Sequence, residues 1–340
     1  MKIWLASTLL TLSLTLLISA QDQKSRVGGI EFFGTAGIDV QNVRAHLPIQ
    51  IGSEVDINSI AETKRRIRES VNELTGTEPT DVSPVCCDPQ GQLWIYIGLS
   101  GKNYQSLRYN KQLNGSATLP ESVVALYREE MDLLGASIHN QATEDDSQGY
   151  ALSTYPPLRA KQLAMREFAY GNADLIQRVL KTSSDSEQRS IAAQLLGYTN
   201  RSSQQIRLLV HASRDSSEGV RNNAVRALGV LARSVNEAAK TIPAEPFVNM
   251  LNSGTWTDRN KGTLVLEVLS RTRRRQLLNL LRRQAADSLI EMARWHEPGH
   301  ADTARQILGR IAGIEEKRLQ LMVANHEAEA IINEFLKTTN

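Results

Sequence analysis

Arg189-x-x-Ala192-x-x-x-Leu196-Gly197 recurs 32 residues later as Arg221-x-x-Ala224-x-x-x-Leu228-Gly229, and its apolar half returns as Ala304-x-x-x-Leu308-Gly309. One helical pattern is being reused along the chain, which is the signature of a helical-repeat array. The third copy lies 80 residues beyond the second, leaving room for one more unit. A weaker copy stands there, at Lys261-x-x-Leu264-x-x-x-Val268. Each unit of such an array spends its apolar residues on its neighbours, so Ala192, Leu196, Ala224 and Leu228 are expected between layers. Arrays of this kind present extended surfaces to other macromolecules and do not usually catalyse.

Working outward, residues 158–337 read as helix throughout. Leu163-Ala164-x-x-x-Phe168-Ala169 is in the repeat register, with a short second helix over 174–180. Further pairs are expected at 187–198 with 204–212, 220–234 with 246–251, and 258–269 with 276–295, and a fifth unit begins at Ala301. Tyr155-Pro156-Pro157 marks the entry to the array. Residues 102–157 read as a linker with one helix, opened by Pro120 and ended by Gly135, and an acidic loop carrying Glu144, Asp145 and Asp146.

Residues 28–101 alternate between strand and helix, giving a small α+β module ahead of an all-α solenoid. A strand over 30–33 is followed by a helix that Asp39 can cap and Pro48 stops. Asn58 is the expected N-cap of a second helix, whose stripe of Ile60, Ile67, Val71 and Leu74 ends at Gly76. Strands over 82–87 and 93–99 flank the turn Asp88-Pro89-Gln90-Gly91. In the second strand Leu93, Ile95, Ile97 and Leu99 alternate with Trp94, Tyr96 and Gly98, which puts one face on a core.

Residues 1–20, MKIWLASTLLTLSLTLLISA, read as an export signal, either cleaved after Ala20 or kept as an anchor. No second apolar stretch of that length follows, so no transmembrane segment is expected after the signal, and the location implied is periplasmic or extracellular. Without Lys2 the chain has 38 basic and 37 acidic residues, so global charge points to no polyanionic partner. The only two cysteines, Cys86 and Cys87, cannot form a multi-bridge framework, and the fold must rest on apolar cores.

The repeats from Leu158 onward resemble HEAT or HEAT-like repeats, in which an Asp and an Arg near the inter-repeat turn often form a ladder between layers. The resemblance implies that role for Asp185 with Arg189 and for Asp215 with Arg221. The strand-helix-helix-strand-strand order, with the opening Ile30-x-Phe32-x-Gly34, resembles a POTRA-type module, which implies a sheet edge able to accept a client strand. A generic α+β spacer is the alternative. Val85-Cys86-Cys87-Asp88, Tyr96-Ile97-Gly98-Leu99 and the repeat tail together resemble a group of exported bacterial HEAT-repeat proteins, a likeness that implies no activity.

Several residues are candidates for function. His296-Glu297-Pro298-Gly299-His300 spells H-E-x-x-H, but zinc chemistry needs both imidazoles one turn apart on a continuous helix, and Pro298 with Gly299 make this a loop between repeats. Cys86 and Cys87 can form a vicinal disulfide, or stand as one packed and one exposed thiol. Arg271, Arg273, Arg274 and Arg275 crowd one rim, where an anionic partner or the acidic loop could answer them; a solvated, partly self-paired rim is the plainer alternative. Trp256, Asp258, Arg259 and Lys261 open the fourth unit, and Arg221, Asn222 and Asn223 open the third; both sets suit caps and ladders, or a binding groove. No catalytic, cofactor or metal set is recognisable.

The sequence therefore implies an exported interaction scaffold that holds a protein or an anionic envelope polymer. One alternative is an enzyme on the solenoid, a metal-dependent hydrolase at the His296–His300 loop using Glu291 and Asp258. Another is nucleic-acid binding by the Arg rim. The export signal argues against that, so no nucleic acid is expected.

Overall fold

The computed structural model describes residues 24–88 and 90–338; the export signal expected over residues 1–20 lies outside the described residues. The chain is a small α+β module followed by a helix-rich repeat region. In the module, β1 (Lys24–Phe33), β2 (Glu54–Asp56), β3 (Asp81–Val85) and β4 (Leu93–Gly98) form one sheet in the order β2-β1-β4-β3. β1 runs parallel to β4 and antiparallel to β2, and β3 pairs antiparallel with β4. Helices α1 (Val40–Ala45) and α2 (Ile60–Thr75) cover one face. Asp39 caps α1 as expected. Asn58 does not cap α2: it sits in a 3-10 turn whose cap is the Asp56 carboxylate, one of three residues forming a strand the sequence did not signal. Gly76 ends α2 in the left-handed conformation, φ 71°.

Alternation in β1 and β4 buries both faces of the sheet. Ile30, Phe32, Leu93, Ile95 and Ile97 point at α1 and α2 and build the module's own core with Ile67 and Val71. Phe33 and Tyr96 point the other way and belong to the core of the repeat region. The module is therefore welded to the array and is not a free domain on a linker.

The array begins with α3 (Glu121–His139) against α4 (Pro156–Gly171). It continues through α5 (Ala173–Thr182), α6 (Ser186–Tyr198), α7 (Ser203–Ala212), α8 (Glu218–Ser234), α10 (Glu245–Leu251), α11 (Trp256–Ser270), α12 (Arg275–Gln284) and α13 (Ala286–Ala293). It ends with α14 (Pro298–Ile311), α15 (Glu316–Ala324) and α16 (Ala328–Lys337). Helices α4, α6, α8, α11 and α14 lie side by side as one layer. Ala192, Leu196, Ala224 and Leu228 are fully buried in it. The glycine of the repeated Leu-Gly pair allows the close approach, since a Cβ on Gly309 would meet Leu319 at 2.1 Å and one on Gly197 would meet Ala227 at 2.9 Å.

Four expectations are corrected. Gly135 does not end α3, because a helical glycine stops a helix only by leaving it, and here it costs no more than about 1 kcal/mol of propensity. The expected 276–295 helix is two, broken where Ala285 swings to φ −136°. A short helix not foreseen, α9 (Asn236–Thr241), fills the expected loop. Leu163 faces solvent at 44% exposure, since no layer precedes α4 to cover it.

Residues 102–157 are also more than a linker. An extended strap crosses successive repeats, bonded main chain to main chain: Gln105 N donates to Asn252 O, Asn110 N to Arg214 O and Gly115 N to Thr182 O, each at 2.8 Å. The acidic loop is a hairpin of β5 (Glu144–Asp145) and β6 (Leu152–Ser153) folded onto the opposite end of α8. Glu144 meets Arg226 and Arg233, and Asp146 meets Arg233 at 2.6 Å.

Candidate functional site

The arginines that open the repeats form an internal ladder. Each lies in the first turn of a layer helix, where its fork reaches the carbonyls of the preceding turn and a carboxylate of the following repeat. Arg189 grips Asp215 through Nε at 2.8 Å and Nη2 at 2.9 Å, with Nη1 on Ser183 O and Ser184 O. Arg221 repeats this on Asp258, at 2.7 and 3.0 Å, with Nη1 on Asp215 O and Ser216 O. Arg259 bonds Ser253 O at 2.7 Å and reaches Glu291 at 3.2 Å. The ladder thus runs from each Arg to the next repeat; Asp185 caps its own helix, accepting from Glu187 N and Gln188 N, and does not pair with Arg189.

This geometry removes Arg221, Asp258 and Arg259 from any partner-binding groove. All three are buried, at 2%, 1% and 0% exposure, and a buried charge keeps its ionised form only through partners already engaged. Burial holds the Arg259 guanidinium down to about 10, against the attraction of Glu291. Asn223 donates to Ser190 O and so serves packing between layers, while Asn222 donates to its neighbour Asn223. Lys261, half-buried, is lowered to about 8 by burial and by Arg226 and Arg233, with Glu144 opposing.

The densest polar cluster lies where module meets array. Glu291 accepts from Gly34 N at 3.0 Å, Thr35 N at 2.7 Å and Thr35 Oγ1 at 2.5 Å. The Trp295 indole donates to Phe32 O at 3.1 Å. Glu31 accepts from His296 N at 2.7 Å and lies 2.8 Å from His296 Nδ1. Tyr96 Oη lies 2.6 Å from His300 Nδ1, and its ring packs 5.0 Å from both Trp256 and Trp295. Trp256 N donates to Asp81 at 2.9 Å.

The H-E-x-x-H residues are split as their proline demands. Pro298 is the first residue of α14 and Glu297 is its N-cap, accepting from His300 N at 2.9 Å, so His296 precedes the helix and His300 is in its first turn. Burial lowers His300 to about 4, which keeps it neutral beside Tyr96. Among the described residues no group of three His, Cys, Asp or Glu side chains is placed to hold a metal ion. Glu291 and His296 serve the module–array joint, Asp258 the ladder, and Glu297 the cap of α14. Sequence reasoning missed Glu31, Tyr96 and Trp295, although Trp94 and Tyr96 on the second face of an alternating strand were a visible sign that this face is covered too.

The arginine rim is partly answered from within. Arg271 binds Glu267 at 2.8 Å and Arg273 binds Glu316 at 2.9 Å. Glu316 is held down at about 2, chiefly by its hydrogen bond to Arg310. Arg274 and Arg275 are exposed, with no ion pair among the described residues. The acidic loop, expected as the nearest answer to this rim, is instead spent on Arg226, Arg233 and Arg159. Cys86 and Cys87 follow β3, with their Sγ atoms in contact.

No family model matches the chain, and no curated protein matches it. Among solved structures it is similar to an armadillo repeat protein computationally designed for modular peptide recognition, at 16% identity over 54% of this chain and 92% of that one, TM-score 0.35. A designed armadillo repeat protein in complex with the peptide (KR)4 is 15% identical over 55% and 95%, TM-score 0.35. An engineered protein is 17% identical over 64% and 97%, TM-score 0.37. At these scores the likeness carries no argument, and the fold stands on the geometry above.

Proposed function

We propose that this chain is an exported interaction scaffold that binds a protein through the open end of its helical array. The observation that carries this is an uncovered apolar face on the first helix pair. Leu134 and Ile138 on α3, with Leu163 and Tyr170 on α4, are 39%, 43%, 44% and 59% exposed. Solenoid ends normally carry a polar outer face, because an open end is a template for one more layer. At the far end α16 packs on α14, and Leu321 on α15 is 59% exposed. The occupant that fits is a helical protein surface stacking as a further layer. Glu291, His296 and His300, which could suggest an enzyme, are engaged in the module–array joint, and Asp258 in the ladder with Arg221, which favours the scaffold.

The HEAT-like assignment draws support from the inter-repeat Arg–carboxylate ladder. The POTRA-like assignment draws support from the element order, while two departures stand against client-strand addition: β2 occupies one edge, and Pro84 removes a donor from the other. Export rests on residues 1–20, and fractionation of cells producing the full chain tests it.

Partner capture with the mature chain tests the scaffold. Leu134→Glu with Leu163→Glu should abolish capture while shifting stability by no more than about 0.5 kcal/mol, as exposed positions do. Capture that survives this pair would refute the end-face reading. The exposed Arg274 and Arg275 favour a second reading, an anionic polymer. That reading requires binding that weakens with salt and is lost in the Arg274→Gln, Arg275→Gln variant.

A further inference from the structure

A cavity of about 370 Å³ lies between the strap and the repeats. The strap is pinned at Gln105 and at Asn110, as described above, and in between touches the array through side chains, Leu107 on its core and the Tyr109 ring 4.9 Å from the Arg221 guanidinium. Ser106, Leu107, Arg108 and Tyr109 form this span, and their main-chain amides find no acceptor among the described residues. The apolar lining is Leu107 from the strap above with Pro246 and Met250 from the repeats below, while Arg108, Arg214, Tyr109 and Asn249 supply polar groups. No acidic residue lines the space. Of the two carboxylates next to lining residues in sequence, Asp215 is consumed by Arg189, and Glu245 is exposed and not among the lining residues. Neither Arg108 nor Arg214 makes an ion pair among the described residues; both are exposed, so their guanidinium groups are available to a ligand.

Pockets of this volume with an apolar body and a few convergent polar groups suit small organic ligands. Two guanidinium forks without an internal counter-charge select an anion, and their planar donors match carboxylate or phosphate. We propose that this span of the strap covers a binding site for a small amphiphilic anion, one apolar group seated on Leu107 and Met250 and one carboxylate or phosphate held by Arg108 and Arg214. This site is independent of the end face on α3 and α4, so either can fail without the other.

Isothermal titration of the full mature chain tests it with two probes, phenyl phosphate and N-acetyl-leucine. Saturable 1:1 binding of either supports the site. The Arg108→Gln, Arg214→Gln variant should bind about tenfold more weakly or worse, as the loss of a charge-assisted contact dictates. Asn249→Trp fills the cavity without changing charge and should also abolish binding, whereas Arg128→Gln, a remote arginine, should leave it unchanged. All three variants alter exposed positions, and their melting curves check that they fold. Failure of both probes to saturate by about 10 mM, a limit set by the weakest useful affinities, would overturn the proposal. So would unchanged binding in the double-arginine variant.

Discussion

Glu291→Ala isolates the joint between module and array. The carboxylate accepts three hydrogen bonds from Gly34 and Thr35 and holds Arg259, which has no exposure. Removing it strands a buried guanidinium, a change that costs about 3–5 kcal/mol. The module donors left behind add to this only where water cannot reach them, so about 3–5 kcal/mol is the expected total. That is a large fraction of a typical margin of about 5–15 kcal/mol. Glu291→Gln keeps an acceptor for Gly34 or Thr35 and should cost less, about 1–3 kcal/mol. Chemical denaturation at pH 7 measures both, and a cycle with Arg259→Met should show strong non-additivity because the two side chains share one interaction. A Glu291→Ala variant within about 0.5 kcal/mol of the parent, the range of an ordinary surface change, would refute the reasoning.

Three further outcomes are expected. Leu228→Asp places a carboxylate at a site with no exposure and should unfold the array, since burying an unpaired charge costs several kcal/mol, so an unchanged melting temperature would count against the repeat layer. Asp258→Ala should cost about 3–5 kcal/mol by leaving Arg221 unpaired, while replacing both by apolar residues should cost less, as denaturation of the single and double variants will read out. His300 is lowered from the ordinary 6.5 to about 4, so the unfolded chain takes up its proton first. Its contribution is present above pH 6.5 and is lost as pH falls towards 4, a loss on the order of 1–3 kcal/mol that should be missing in His300→Gln across that window.

The array was legible because its signal is periodic and local. The Arg-x-x-Ala-x-x-x-Leu-Gly unit specifies both the layer face, where Ala192 and Leu228 are buried, and the ladder, where Arg189 and Arg221 sit. The partner of each ladder arginine was less legible, because Asp215 and Asp258 lie 26 and 37 positions away and only the stacking of repeats brings them near. The joint was illegible for the same reason on a larger scale: Gly34 and Glu291 are 257 positions apart. Polar residues such as Asp258 and Arg259 look like a binding set in one dimension, and only burial distinguishes a structural ion pair from a surface one. The strap shows the converse, since residues 102–118 have a loop's composition but are held by main-chain bonds that side-chain identity does not encode.

The claim most central to this account is that the joint, with Phe33 and Tyr96 in the core of the array, fixes the module to the array so that the two unfold together. Native-state hydrogen exchange at Gly34 N, Thr35 N and the Trp295 indole tests it directly, since all three donate across the joint. The account predicts that these hydrogens exchange with the same free energy as amides in the α6–α8 layer, near the global value. Exchange of the three within seconds, while the layer amides stay protected, would mean that the module is tethered beside the array and would contradict the account.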